Sequence, residues 1–324
     1  MSARLALARS AQAVVVIFVV ASLAFFLIRL APGDPFTAAL NDPGITEEVR
    51  TEWRRSYGLD APLAEQYVRY LGAVVRGDFG WSFSMQRPVA EALRAAVPRT
   101  MLLAGTALLL SFAVGIGVAL VQVRHPGSMT DRVLNRTTLL AYSVPEFWLA
   151  LLLLFVFSLK LGVLPAGGAV DAVMHSRMNW MERVVDTIRH LVLPATTLTI
   201  VGAAVVARYQ RGALLDVLPS DFIRTARAKG VAEPAIVRRH ALRNALLPTI
   251  TLLGLTIPAL LAGSVFVEKI FAWPGMGLLA VNAVASRDYA MVTAVVVVAG
   301  TAVALGNLVA DLLYAAADPR VRDG

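Results

Sequence analysis

The chain has 324 residues, of which 57% are hydrophobic and 16% charged, and its mean hydropathy of +0.67 is more apolar than one water-soluble fold can hide. Its formal net charge of +8 does not point to nucleic acid, because the bases cluster in short segments between apolar runs instead of forming a stripe with interleaved aromatics. It has no Cys, which excludes disulfide frameworks, thiol nucleophiles and Cys-ligated metals.

A helix crosses the hydrocarbon layer in about 20 apolar residues, since lipid offers no partner to backbone N–H and C=O groups. Six stretches are read as crossings: residues 10–28, 100–123, 137–159, 191–207, 245–267 and 289–310. Only residues 137–159 include a charge, Glu146, and residues 191–207 have the least sharply marked bounds. The expected fold is an all-α polytopic membrane protein with six transmembrane helices, one transmembrane domain over residues 1–324. The first stretch follows Arg4 and Arg9 as a secretory leader would. Its apolar run exceeds the roughly 7–15 residues of a leader, and Arg29-Leu30-Ala31-Pro32 is a poor cleavage site, so an uncleaved first helix is expected.

Six crossings put both termini on one side, and the positive-inside tendency makes that side the cytoplasm. Arg4 and Arg9, the loop bearing Arg124, Arg132 and Arg136, the loop over residues 208–245, and Arg320 with Arg322 all fall there. The opposite side receives residues 31–98, with nine acids against seven bases. Within it, Ile45-Thr46 before Glu47 and Glu48 resembles a helix start. Residues 64–75 place Tyr67, Tyr70, Leu71 and Val74 at helical spacing, and Asp34-Pro35, Asp42-Pro43-Gly44 and Gly77-Asp78 mark turns. Short helices lying on the outer membrane face are expected, as a packed cap without a ligand role.

The chain has no GxxxxGK[ST] phosphate loop and no HExxH, and His125, His175, His190 and His240 lie far apart. Ser264 lacks the GxSxG context and a base in its own span. An enzyme is therefore not expected, and neither a cofactor nor a metal in this chain. Glu146 stands in SVPEFW, residues 143–148. A charge in a span costs about 2.5–3.5 kcal/mol on insertion scales and usually faces the bundle interior or a water-filled cavity. Pro145 bends or starts the helix there. Two readings stay open: Ser143, Pro145 and Glu146 line a pathway, or Glu146 is a satisfied group near the cytoplasmic end of its span.

The longest strongly basic segment between two spans is residues 219–248, PSDFIRTARAKGVAEPAIVRRHALRNALLP. Ser220 and Asp221 offer capping oxygens; Phe222, Ile223 and Ala226 form an apolar face opposite Arg224, Arg227 and Lys229. Gly230 tolerates a positive φ, and Pro234 suits a first helical turn. Helix, turn, helix is expected. A solvated basic loop or attraction to anionic lipid would explain the charge, but neither requires the glycine-centred turn followed by His240.

RTARAKG (residues 224–230) followed by RHALRNAL (residues 239–246) resembles the permease subunits of binding-protein-dependent ABC importers, specifically the dipeptide, oligopeptide and nickel group. The likeness runs over nearly the whole chain. APGDP (31–35), GLDAPLAEQY (58–67), RGDFGWS (76–82) and RPV (87–89) are similar to the outer region of the first permease of such pairs; SVPEFW, VEKIFAWPGMG (267–277), RDY (287–289) and DLLYAAADPRVR (311–322) match further on. The resemblance implies that Arg224-Thr225-Ala226 occupy the EAA triplet and Gly230 is its glycine, while His240 opens the distal part. Asp221, Phe222, Arg224, Thr225, Ala226, Arg227, Gly230 and His240 would then touch an ATPase. It departs from the general pattern at Arg224, where Glu is usual, at Leu242-Arg243, where Leu-Pro is usual, and at Glu146, usually apolar or small.

It further implies a second permease subunit, two cytoplasmic ATPases that bind the ATP and Mg, and an extracytoplasmic solute-binding protein, with peptides or similar small solutes as cargo. The runner-up is an ion-coupled secondary transporter or channel, which would carry more buried ionisable groups and an inverted repeat.

Overall fold

The structure, a computed structural model, describes residues 3–30, 61–261 and 264–317. Helix α1 is Ala3–Leu30, α2 Leu63–Arg76, α3 Val89–Gln122, α4 Met129–Ser143, α5 Glu146–Leu153, α6 Trp180–Val217, α7 Asp221–Ala228, α8 Leu242–Leu261, α9 Val265–Ile270, α10 Met276–Ala285 and α11 Tyr289–Ala317. A π-helical stretch Leu154–Lys160 prolongs α5, and another, Ile236–Ala241, leads into α8. The short strands β1 (Trp81–Ser82) and β2 (Arg87–Pro88) pair antiparallel.

Four helical segments are long and apolar enough to cross a membrane among the described residues: Leu7–Leu30, Val89–Gln122, Trp180–Val217 and Tyr289–Asp311. A fifth is made if Met129–Ser143 and Glu146–Lys160 count as one span, but these meet at 101°. The expected crossing over residues 137–159 is thus bent and its second helix starts after Pro145, as that residue predicts. Pro145 supplies no N–H and disfavours helical geometry before it, and Val144 is extended at φ −77°, ψ 127°. The expected stretch 245–267 is likewise divided between α8 and α9. Residues 191–207 are the middle of the 38-residue α6, begun by a capping box in which Asn179 Oδ1 accepts from Glu182 N and Glu182 Oε2 accepts from Asn179 N.

Helices α3 and α6 form the centre. A Cβ on Gly115 would lie 2.6 Å from Val206 Cβ, and one on Gly202 would lie 2.4 Å from Ser111 Oγ, so the two backbones approach as closely as small residues permit. Helix α8 is held to α6 by Gln210, which is fully buried, donates to Ala245 O at 3.0 Å and accepts from Thr249 Oγ1 at 2.6 Å. Helices α1 and α11 pack together, with Arg9 beside Asp311 at 3.3 Å. Apolar side chains such as Leu109, Phe155 and Leu255 stay exposed, as lipid-facing residues do.

One end of the bundle collects the segments expected in the cytoplasm. Arg211 on α6 grips Asp131 of α4 through two nitrogens, Nε at 3.1 Å and Nη2 at 3.0 Å. The other end is capped by α2, whose Tyr67 takes part in a 2.6 Å hydrogen bond with Ser22 and stacks on Phe26. Burial, with Tyr67 beside it, pushes the Tyr70 phenol up to about 12, so it packs as a neutral ring against Phe25. Gly77 closes α2 at φ 71°, as the turn signal at Gly77-Asp78 predicts. The expected helix start at residues 45–48 and the turns at 34–35 and 42–44 lie outside the described residues.

At that same end, Asp186 near the start of α6 gathers the loop before it. His175 Nδ1 lies 2.7 Å from Asp186 Oδ2, Asp171 N donates to the same oxygen at 2.9 Å, and His190 Nδ1 lies 3.2 Å from Oδ1. Amides of Met174 and Val173 hold the Asp171 carboxyl below the usual carboxylate range. Replacing Asp186 by Ala is expected to open the segment between Asp171 and Asn179 to protease while the bundle's melting is little changed; unchanged cleavage would show that Asp186 does not anchor it. Gly202→Val is expected to destabilise the α3–α6 contact by about 1–3 kcal/mol, the usual cost of overpacking, read as a lowered melting temperature in detergent.

Candidate functional site

The basic elbow is built on an apolar foot. Ile223 and Ala226 of α7 are buried against Leu214 of α6, Ala119 and Val123 at the end of α3, and Ile236, Val237 and Ala241. Spacing of three on one helix puts both foot residues on the same face. Phe222 does not join them: it is 45% exposed, which corrects the expected apolar face. The Ser220 hydroxyl donates to Val217 O at 2.6 Å instead of capping α7.

Gly230 turns the chain at φ 77°, a conformation that costs glycine little. Its N–H donates to Arg227 O and that of Val231 to Ala226 O, the paired closure of a helix end. Past this turn, a single helical turn at Glu233–Ala235 runs through the π-helical Ile236–Ala241 into α8. The second helix of the expected pair is thus the root of α8.

Asp221, Phe222, Arg224, Thr225, Arg227, Gly230 and His240 are exposed, whereas Ala226 is buried. Ala226 therefore belongs to the foot and not to the outward face. Arg224 pairs with Asp221 and Arg227 with Glu233; exposed pairs of this kind contribute little, so both cations are available to a docking surface.

The second expected site lies where two helix breaks meet. Glu146 is the first residue of α5, after the Pro145 break, and Ser264 precedes the first residue of α9. The Ser264 hydroxyl donates to Glu146 Oε1 at 2.6 Å. Pro145 and Ser143 are exposed beside it, although the Ser143 hydroxyl donates back to Leu139 O. Sequence reading missed a second acid, Glu268, just past the apolar stretch and fully buried. It accepts from Thr100 Oγ1 at 2.8 Å, Gly277 N at 2.6 Å and Leu278 N at 3.0 Å. The signal available was its position within VEKIFAWPGMG. In the same motif the Trp273 indole donates to Arg99 O at 3.0 Å.

Two further motifs also converge. Asp288 of RDY accepts from the hydroxyls of Ser82 and Ser84 at 2.6 and 2.7 Å, which ties RGDFGWS to the start of α11. Among the described residues no group of three or more His, Cys, Asp or Glu converges as a metal site would.

Comparison with known proteins agrees over the full length. Residues 90–323 match the family described as binding-protein-dependent transport system inner membrane component, and residues 2–104 match the N-terminal family of such membrane components. The chain is 40% identical over 314 residues to the oligopeptide transport system permease protein AppB of Bacillus subtilis, covering 97% of each chain. It is 37% identical to the di/tripeptide transport system permease protein DppB of Pseudomonas aeruginosa, covering 94% of each. It is also 37% identical, with the same coverage, to the glutathione transport system permease protein GsiC of Escherichia coli. A chain of the inward-facing MetNI methionine ABC transporter shares the fold, with a TM-score of 0.51 at 20% identity over 71% of this chain and 95% of that one. A multi-pass helical protein of the inner membrane, this chain belongs to the family of inner-membrane components of binding-protein-dependent transport systems.

Proposed function

We propose that this chain is one of two different permease subunits of an ATP-driven importer of short peptides, crossing the membrane six times with both termini in the cytoplasm. Two cytoplasmic ATPases hold the ATP and Mg and dock on the elbow, and an extracytoplasmic binding protein delivers solute at the opposite end. No cofactor resides in this chain. The peptide cargo is carried over from the names of the relatives. The pairing of Arg9 with Asp311 supports an even number of crossings, since it brings the first and last helices to the same end of the bundle.

The observation that carries the coupling role is the division of α7 into two faces. Ile223 and Ala226 are sunk into the ends of α3 and α6, while Asp221, Phe222, Arg224, Thr225 and Arg227 face outward. An exposed aromatic flanked by cations is the composition of an interface anchor, not of an idle surface. Closing of the ATPases upon ATP binding would push α7 as a rigid piece and re-angle α6 and α8. The junction of Ser143, Pro145 and Glu146 lines the solute path in this reading.

Reversing the charge of Arg224 and Arg227 together with Gly230→Val is expected to lower ATP-dependent uptake in proteoliposomes at least about tenfold and to reduce co-purification of the ATPases. Retention of both would remove the coupling role. Phe222→Ala alone is expected to weaken ATPase association by about thirtyfold, the effect of an aromatic anchor worth about 2 kcal/mol; unaltered association would place the ring outside the interface.

A further inference from the structure

We propose that Glu146, with the rings of Phe147 and Phe266, forms a binding station for a primary ammonium group on the solute path. The inference rests on the reading that residues 143–146 line that path. Three observations carry it.

The first is where the carboxylate lies. Interrupted helices within a membrane are tolerated only where the freed backbone is buried in protein or lines a watery cavity, and transported solutes bind at such interruptions. Here the start of α5 and the start of α9 come together, bridged by the bond between Ser264 and Glu146. The site lies beside the central pair: Ser264 lines a small cavity, too narrow to admit water, with Glu268, with Thr100, Leu103 and Ala104 of α3 and with Leu198 of α6.

The second is incomplete satisfaction. Glu146 is half-buried, its Oε1 accepts from Ser264, and its Oε2 takes no hydrogen bond from the described residues. Nor does any Arg, Lys or His among them form an ion pair with it. A carboxylate amid apolar helices with one oxygen open is set to accept a cation from outside the chain. Glu268, saturated by three donors, is not.

The third is the aromatic surround. Phe147 is 48% and Phe266 68% exposed, with ring centroids 6.5 Å apart across the same junction. An ammonium is recognised by a carboxylate together with ring faces. A metal ion would call for further oxygen ligands, of which the junction offers few.

The test uses the assembled complex of permeases and ATPases, with the binding protein omitted so that its own preference does not enter. Trialanine and N-acetyl-trialanine differ in a single ammonium. Wild type is expected to bind trialanine about tenfold more tightly, the size of one partly desolvated charge pair, and Glu146→Gln to abolish the difference. N-acetyl-Lys-Ala-Ala, with its ammonium on the side chain, separates the sources: tight binding shows a site for any primary ammonium, weak binding one for the peptide terminus. Phe266→Leu keeps the carboxylate and is expected to reduce the preference about threefold, which keeps the test decisive should the Gln variant fail to assemble. Equal binding of the first two peptides by wild type, or no binding, overturns the site. Uptake of trialanine by the complete system distinguishes the two levels: uptake without preferential binding leaves the peptide path standing, and absence of uptake removes the path reading itself.

Discussion

The arrangement depends on one constraint: within the bundle, away from water, each polar group needs a partner supplied by the protein. Helices α3 and α6 meet it along their backbones and so can press together at Gly115 and Gly202. That closeness leaves little space in which water could serve side chains, and several polar groups nearby are paired directly, although Thr199 Oγ1 and Gln122 Nε2 are buried without a partner among the described residues. Gln210 bridges to Ala245 and Thr249, and Thr100 bridges to Glu268 and Met276 N. Each of these bonds joins segments far apart in sequence, so satisfying the polar groups also decides which helices are neighbours.

The same economy explains why the elbow can pass on force. Backbone hydrogen bonds run with little interruption from Leu218 N to Leu214 O, Ser220 N to Val217 O and Ile223 N to Ser220 O, and resume from Gly230 N to Arg227 O and Ile236 N to Ala232 O. The foot of α7 lies among Leu214 before it and Ile236 and Ala241 after it. A displacement of α7 without strain would have to open this apolar contact, at about 25 cal/mol for each Å² exposed. Moving α6 and α8 with it leaves the contact closed. The bonds of Gln210 to Ala245 and Thr249 then make those two helices move as a pair.

Much of this is legible in the sequence because the membrane enforces simple patterns. Apolar length locates α1, α3, α6 and α11, and the glycine at 230 marks the turn whose φ is 77°. Three things are not legible. Pro145 marks a break, but the 101° angle between the two helices is hidden by an apolar run that continues across it, since composition reports length and not direction. The side of α7 on which Phe222 falls is obscured because a phenylalanine in a short amphipathic helix reads as core, while the foot is filled by Ile223 and Ala226. Glu268 escapes notice because it stands one residue beyond its apolar stretch, although α9 carries it into the protein interior.

The two buried or half-buried acids show how differently one residue type is used. Glu268 receives three hydrogen bonds from Thr100, Gly277 and Leu278, donors that join α3 to the start of α10. A carboxylate so occupied has little capacity left for a solute, and removal of its donors would leave a desolvated group uncompensated. Glu146 has one donor, and that donor sits on the far side of a helix break. Motion of α9 relative to α5 would alter this single bond together with the apolar packing around Ala150 and Val267, whereas the same motion could not proceed past Glu268 unless α10 followed. The saturated acid thus binds α9 to its surroundings at one end, and the unsaturated acid faces the interruption at the other, where a change in helix angle first alters what a carboxylate can hold.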